Sequence, residues 1–135
     1  MKLESVEEIL EAEGTSVEEL EVNEPLSYSG GEAYYDLTIE KVRDEVLSVE
    51  QHYTQMMDRM SAPEIRFDVS DPEDWTPIEY TNHDTYEVDE KGRKTQVYRR
   101  DETGVDGVDE LIETLDKNLK QQFPADEVTN RGENQ

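Results

Sequence analysis

Four carboxylates crowd the segment Asp68, Asp71, Glu73 and Asp74, directly before Trp75. Oxygen ligands in such a cluster suit a hard cation such as Ca²⁺ or Mg²⁺. The spacing lacks the central glycine of an EF-hand loop, and Ser70 and Pro72 between the acids are turn residues. The cluster reads as a solvated acidic turn. The two histidines, His52 and His83, offer no HxH or HxxE spacing, and a metal site needs convergent ligands. No serine sits in a nucleophile elbow. Gly30-Gly31 is followed by no GK[ST], as a phosphate loop would require. The absence of cysteine excludes disulfides, thiolate chemistry and Cys-type zinc sites. These residues predict no catalytic group, no cofactor and no metal.

Two other groups are candidates for contact rather than chemistry. Lys91, Arg93, Lys94, Arg99 and Arg100 form the one basic cluster. It reads either as a contact with an acidic neighbour, a second copy of the chain or a nucleic-acid phosphate included, or as cross-strand partners of Asp84, Glu87, Asp89, Asp101 and Glu102. Tyr35, Ile39, Val42, Val46, Val49, Tyr53, Met56 and Met60 recur at alternating spacings of four and three, an a/d seam.

The background to both is acid. The chain of 135 residues carries 36 Asp and Glu against 13 Lys and Arg, a formal charge of −23 and a pI near 4.2. A compact state at this charge is destabilised by self-repulsion. Salt relieves it: the Debye length falls from about 8 Å at 0.15 M to about 3 Å at 1 M. The acids are spread along the chain rather than gathered in a tail. Residues 37–62 are the least acidic stretch, with five acids against three bases. Direct phosphate-backbone binding needs a basic footprint that this chain lacks. Met1-Lys2-Leu3 leads into acids rather than a signal-type apolar run, and no stretch approaches the roughly 20 apolar residues of a membrane span.

The seam predicts one long helix of roughly 25 residues, about 38 Å, capped near Asp36 or Thr38 and stopped by Pro63. It would be either the core helix of one domain or a seam between subunits. Before it, Ser5-Val6-Glu7-Glu8-Ile9-Leu10 is echoed by Ser16-Val17-Glu18-Glu19-Leu20, each a capping box, which predicts short helices over 4–13 and 16–21. From Glu64 the apolar period changes to two. Ile65, Phe67 and Val69 predict a strand, followed by short strands at Ile78–Tyr80, Tyr86–Val88 and Val97–Tyr98. Asp89 to Lys94 (DEKGRK) predicts the turn of a protruding hairpin. Val108, Leu111, Ile112, Leu115, Leu119 and Phe123 form one stripe of a closing helix, ended by Pro124.

The expected class is α+β: short N-terminal helices, a long central helix, a three- to four-stranded antiparallel sheet with a protruding hairpin, and a C-terminal helix. The expected divisions are an acidic helical segment and linker over 1–33, an α+β domain over 34–124, and a polar tail over 125–135. Distributed acid, six Lys against seven Arg and no Cys resemble the composition of proteins from extreme halophiles, haloarchaea and their viruses. The order of elements over 36–123 loosely resembles small tail-terminator and head–tail joining proteins of long-tailed viruses; no residue motif carries that likeness. It implies a non-catalytic assembly subunit, homo-oligomeric or bound to other assembly proteins, in a virion or a high-salt cytoplasm. The alternative is a small acidic binding protein that imitates nucleic-acid charge.

Overall fold

The computed structural model describes residues 2–88, 90–91, 94–102 and 108–127, and within them the backbone alone for 55, 83–88, 94–102 and 108. Helix α1 spans Glu4–Ala12. Strands follow as β1 (Leu26–Tyr28), β2 (Asp36–Arg43), β3 (Val46–Gln55), β4 (Asp58–Asp68), β5 (Thr76–Val88) and β6 (Lys94–Glu102), and α2 (Val108–Gln122) closes the chain. The strands form one antiparallel meander in sequence order, six across.

Period-two alternation explains the sheet. Leu37 and Ile39 of β2, Leu47 and Val49 of β3, and Ile65 and Phe67 of β4 are all fully buried. Backbone register lines them up: Leu26 faces Ile39, Ile39 faces Val49, Val49 faces Ile65, and Ile65 faces Tyr80. Such side-by-side β-branched and aromatic residues stabilise a sheet pair by pair. The helices cover this face. Leu3, Val6, Ile9 and Leu10 from the α1 region and Ile112, Leu115, Leu119 and Phe123 from the α2 region join the strands in one core. Trp75, 1 % exposed, tilts against Phe67 at 5.5 Å and donates its indole N–H to the Pro72 carbonyl at 3.0 Å. Each such side chain contributes about 1.5–3 kcal/mol by leaving water.

Helix α1 ends on Gly14 at φ +78°, where the Thr15 N–H reaches the Leu10 carbonyl at 2.9 Å and the Gly14 N–H reaches that of Glu11 at 3.0 Å. This is a Schellman closure, and it needs a residue at ease with positive φ. The start of α1 is held from outside. The Ser5 N–H donates to Asp116 of α2 at 2.8 Å, and Lys120 of α2 reaches Glu4 at 3.0 Å. Those contacts keep the Lys120 ammonium above its ordinary pKa and the Glu4 carboxyl below its own.

The long central helix does not exist. Residues 36–62 are strands β2, β3 and the first half of β4, so the protein is mostly β with a short helix near each end. The seam residues Tyr35, Ile39, Val42, Val46, Val49, Tyr53, Met56 and Met60 therefore share no helical face. Leu37 and Leu47, which fall off the seam, are as buried as Ile39 and Val49. The element order that resembled tail-terminator and head–tail joining proteins falls with that helix. Two smaller corrections concern the N-terminal echo. Ser5 lies inside α1, whose N-cap is Leu3 with no side-chain cap, and residues 17–19 form a turn rather than a second helix. In that turn Ser16 Oγ still accepts from the Glu19 N–H at 3.3 Å. The predicted strands at 78–80 and 86–88 belong to one strand, β5.

Candidate functional site

The two hairpins β3–β4 and β5–β6 are paired to their ends, but β4 pairs with β5 only from Asp68–Thr76 to Glu64–Thr81. Pro63 has no N–H to give to a ladder at the next position. Beyond it, residues 53–60 continue the β3–β4 ladder as an arm, and residues 82–88 with 94–99 continue the β5–β6 ladder.

The β3–β4 arm is lined by apolar and aromatic groups. Tyr53 lies on the same side of β3 as Val49, and Met60 stands opposite it. Tyr35, just ahead of β2, stacks on Tyr53 with centroids 4.9 Å apart and planes at 28°. The apolar face of the sheet thus runs on past its helical cover. Among the described residues, helical cover ends near Gln122 of α2, whose Oε1 accepts from Gln51 at 2.8 Å, and a depression of about 380 Å³ follows, lined by Tyr34, Tyr35 and Ala62 among others. At the tip, Met56 and Met57 are 90 % and 96 % exposed. Both adopt positive φ, 50° and 71°, a two-residue turn that usually takes Asn-Gly.

The loop before β2 fixes the two tyrosines. The Gly30 N–H donates to Asp36 Oδ1 at 3.0 Å, and the Tyr34 N–H donates to the Gly30 carbonyl at 3.2 Å. A Cβ at Gly30 would lie 2.3 Å from the carbonyl oxygens of both Tyr34 and Tyr35, so only glycine fits.

A second feature lies at the far end of β4. A groove of about 420 Å³ runs between α1, residues 15–18 and Pro72 of the β4–β5 loop. Leu10, Val17 and Pro72 supply its apolar part, and Glu4, Glu7, Glu8, Glu11 and Glu18 its acids. Its lone base, Lys2, is bound to Glu73 at 2.8 Å and Glu7 at 3.1 Å, which raise the ammonium well above its ordinary pKa. Glu8, Glu11 and Glu18 are exposed.

The side of the sheet away from the helices is polar. Thr38 Oγ1 bridges Ser27 at 3.1 Å and His52 Nε2 at 2.8 Å. Glu50 faces Glu64 across β3 and β4, a like-charge pair that would repel. Arg59 and Ser61 donate to Glu50, while Ser48 at 2.5 Å and Arg66 at 3.3 Å donate to Glu64. Charge-assisted contacts of this kind offset the repulsion. They tie β3 to β4 across the polar face.

The structure sorts the sequence candidates into separate places. Ile39, Val46 and Val49 are core, Val42 is half-buried in β2, and Tyr35, Tyr53, Met56 and Met60 gather on the β3–β4 arm. In the basic cluster, Lys91 is exposed in the β5–β6 turn, and Lys94, Arg99 and Arg100 occupy β6 opposite Val88, Asn82 and Thr81. Arg93 lies outside the described residues, as does the His83 side chain. The acids of the 68–74 turn serve their own backbone. Asp68 accepts from the Ser70 N–H at 2.9 Å, which holds its carboxyl below its ordinary pKa, and Asp71 accepts from the Glu73 N–H at 3.0 Å. Among the described residues no group of three or more His, Asp or Glu is placed to hold a metal ion. Sequence reasoning missed Met57 and the α1 groove. A Met-Met pair between two β-prone runs was the available sign of the first; the acids of the capping boxes, read only as caps, were the sign of the second.

The arrangement defines a mostly β, two-layer domain with an apolar arm at one end and an acidic groove at the other. Over residues 4–123 the chain matches the family described as "Domain of unknown function (DUF6908)", and it belongs to that family. No curated protein and no solved structure matches it. Among the described residues no helix is long and apolar enough to cross a membrane.

Proposed function

We propose that this protein is a non-catalytic assembly subunit that self-associates through its β3–β4 arm, in a high-salt setting such as a haloarchaeal cytoplasm or virion. The observation that carries the reading is the Met56–Met57 turn, almost wholly exposed in a chain of charge −23. A soluble acidic surface gains nothing from two bare thioethers on a strained turn, whereas an interface does. Methionine adapts to irregular apolar surfaces and is favoured at such contacts. The charge supports the high-salt setting, since repulsion between copies falls as screening grows.

Light scattering behind size-exclusion chromatography in about 1 M NaCl, where the Debye length is about 3 Å, tests the reading. The expected result is a species larger than a monomer, reduced to monomer by the M56D/M57D double substitution. A monomer at every concentration overturns it. Circular dichroism during dialysis from about 3 M to 0.1 M salt tests the setting, with structure expected to be lost on the way down. A cooperative fold retained in dilute buffer removes the halophile argument.

A further inference from the structure

We propose that the hollow beside Lys41 binds a small zwitterion, an α-amino acid, with its carboxylate on Lys41 and its ammonium facing Glu18 and Glu45. This site stands apart from the arm and does not depend on self-association.

Lys41 occupies a place that β2 otherwise gives to the core. Alternation along the strand puts it on the face of Leu37 and Ile39, both fully buried. It stands opposite Leu47 of β3 and is itself only 9 % exposed. Its carbonyl accepts from the Asn23 N–H at 2.8 Å, but its ammonium is unused. Lys2, Arg59, Arg66 and Lys120 each hold a carboxylate, yet no hydrogen bond or ion pair joins the Lys41 ammonium to any described residue. The chain has 36 acids, so this is no shortage of partners. A sealed and unpaired ammonium would be costly. Among the described residues Ser5 Oγ is the one sealed side-chain polar atom without a partner, so the Lys41 ammonium opens to solvent. Lys41 lines a hollow of about 210 Å³ with Val17, Glu18, Glu45, Val69, Ser70 and Pro72, and that hollow is its opening.

The lining selects the ligand. Its apolar members are Val17, Val69 and Pro72, and the two valines are only 5 % and 6 % exposed, so the hollow has little to offer a lipid or an apolar side chain. Its volume is below the roughly 300–1,000 Å³ of sites for drug-sized ligands. It presents one ammonium and two exposed carboxylates, Glu18 and Glu45. Three segments bring these together: the turn over 17–19, strand β2 and the turn before β3, where the Val69 N–H holds the Glu45 carbonyl at 2.8 Å. A lysine head has only donors and bonds strongly to a carboxylate. A plain anion would meet two like charges there, and a plain cation would meet Lys41. A molecule with both charges close together satisfies all three groups. An α-amino acid with a short side chain has that form and suits the volume.

Glycine is the probe, with acetate and methylammonium as its two halves, each titrated while backbone amide NMR shifts are followed in about 1 M NaCl. Saturable shifts are expected with glycine at Glu18, Lys41, Glu45 and Val69, and affinities at least about tenfold weaker for acetate and for methylammonium. K41M keeps a buried stem of similar length and removes the charge, and should lower the glycine affinity at least about tenfold. If K41M fails to melt like the parent, E18Q/E45Q at two exposed positions replaces it. That variant should weaken glycine at least about tenfold without weakening acetate. The readout follows the amides of the site, so it holds whether the chain is a monomer or an assembly, and failure of self-association leaves the site standing. No saturable shift up to about 0.1 M glycine overturns the proposal. An unchanged glycine affinity in K41M, or in E18Q/E45Q, overturns it too. Acetate bound as tightly as glycine also overturns it, in favour of a plain carboxylate site.

Discussion

Strand β3 begins and ends in a two-residue turn, and the two turns differ in what surrounds them. The Asp44–Glu45 turn is acidic, with Glu45 at φ 60°. Its Glu45 carbonyl accepts from the Val69 N–H at 2.8 Å, which ties it to the β4–β5 loop and the body of the sheet. The Met56–Met57 turn places two left-handed residues at the tip of the arm, both near full exposure. Left-handed backbone costs roughly 1–2 kcal/mol for each ordinary residue. At the first turn the charge is hydrated and the backbone is used. At the second, the left-handed backbone closes the hairpin, but methionine rather than Asn-Gly bears the strain, and observed strain of that sort points to function.

The largest expected contrast compares the sheet centre with the arm. I65A opens a cavity in the row Ile39–Val49–Ile65–Tyr80 and should cost about 2–5 kcal/mol. M57A should change stability by less than about 0.5 kcal/mol, as exposed positions do. Denaturant unfolding of the two variants at one salt concentration measures both. A large loss in M57A would mean that the tip is covered within its own chain, and the contrast between the two turns would disappear.

A smaller effect tests whether the arm's base is fixed by the loop before β2. G30A forces a methyl group against two carbonyl oxygens and should cost about 2 kcal/mol, within the usual range for backbone conflicts. Because that loop positions Tyr34 and Tyr35, the same change should weaken self-association beyond its effect on stability. Equal losses in G30A and in an unrelated variant of matched stability would show that the tyrosines are bystanders.

The history of residues 36–62 shows what the sequence could convey. The strand at Ile65–Phe67, the turn at Ser70–Asp74 and the α2 stripe were readable, because each pairs a clear period with ordinary breakers, whereas the DEKGRK turn lies partly outside the described residues. The stretch from Tyr35 to Met60 offered two periods at once. Its 3.5-residue seam ran the full length, while its period-two pattern, Leu37-Ile39 and Leu47-Val49, was broken by turns with no glycine. Glu45, Met56 and Met57 reach positive φ without being the residue types that announce it. An uninterrupted helix was the natural misreading. For the candidate site, four seam residues do lie together on the arm, but strand pairing put them there. The groove was not legible at all, since it is formed by α1, residues 15–18 and Pro72, which meet only after folding.

The turn itself provides a prediction in the opposite direction. Exchanging the two tip methionines for an Asn-Gly pair, through M56N/M57G, supplies residue types that take positive φ at little cost. The unfolding free energy should rise by about 1–2 kcal/mol if left-handed strain is relieved. Self-association should fall at the same time, since both thioethers are gone. Gain of stability with loss of assembly is the outcome expected of a turn kept for its surface. A variant that assembles as well as the parent would reduce Met56 and Met57 to an accident of sequence.

The smallest effect concerns the opposite end of the molecule, where α2 meets the start of α1. Lys120 bonds Glu4 and lies 3.8 Å from Asp116, so it links α2 to the start of α1. Lys120 holds the Glu4 carboxyl below its ordinary value of 4.5, and that bond keeps Lys120 above 10.5. A carboxyl whose pKa is lowered by folding stabilises the fold above its unfolded pKa and stops doing so as pH falls through the folded one. An ammonium whose pKa is raised does the reverse, stabilising below its unfolded pKa and losing effect as pH rises through the folded one. K120Q should therefore be slightly less stable than the parent between about pH 5 and 10, with the two melting curves converging below pH 4. Both groups are at the surface, so the difference should shrink further as salt rises. A gap that persists unchanged at pH 3 and in high salt would show that Lys120 acts by packing its stem rather than by charge, while the arm at the other end would be unaffected either way.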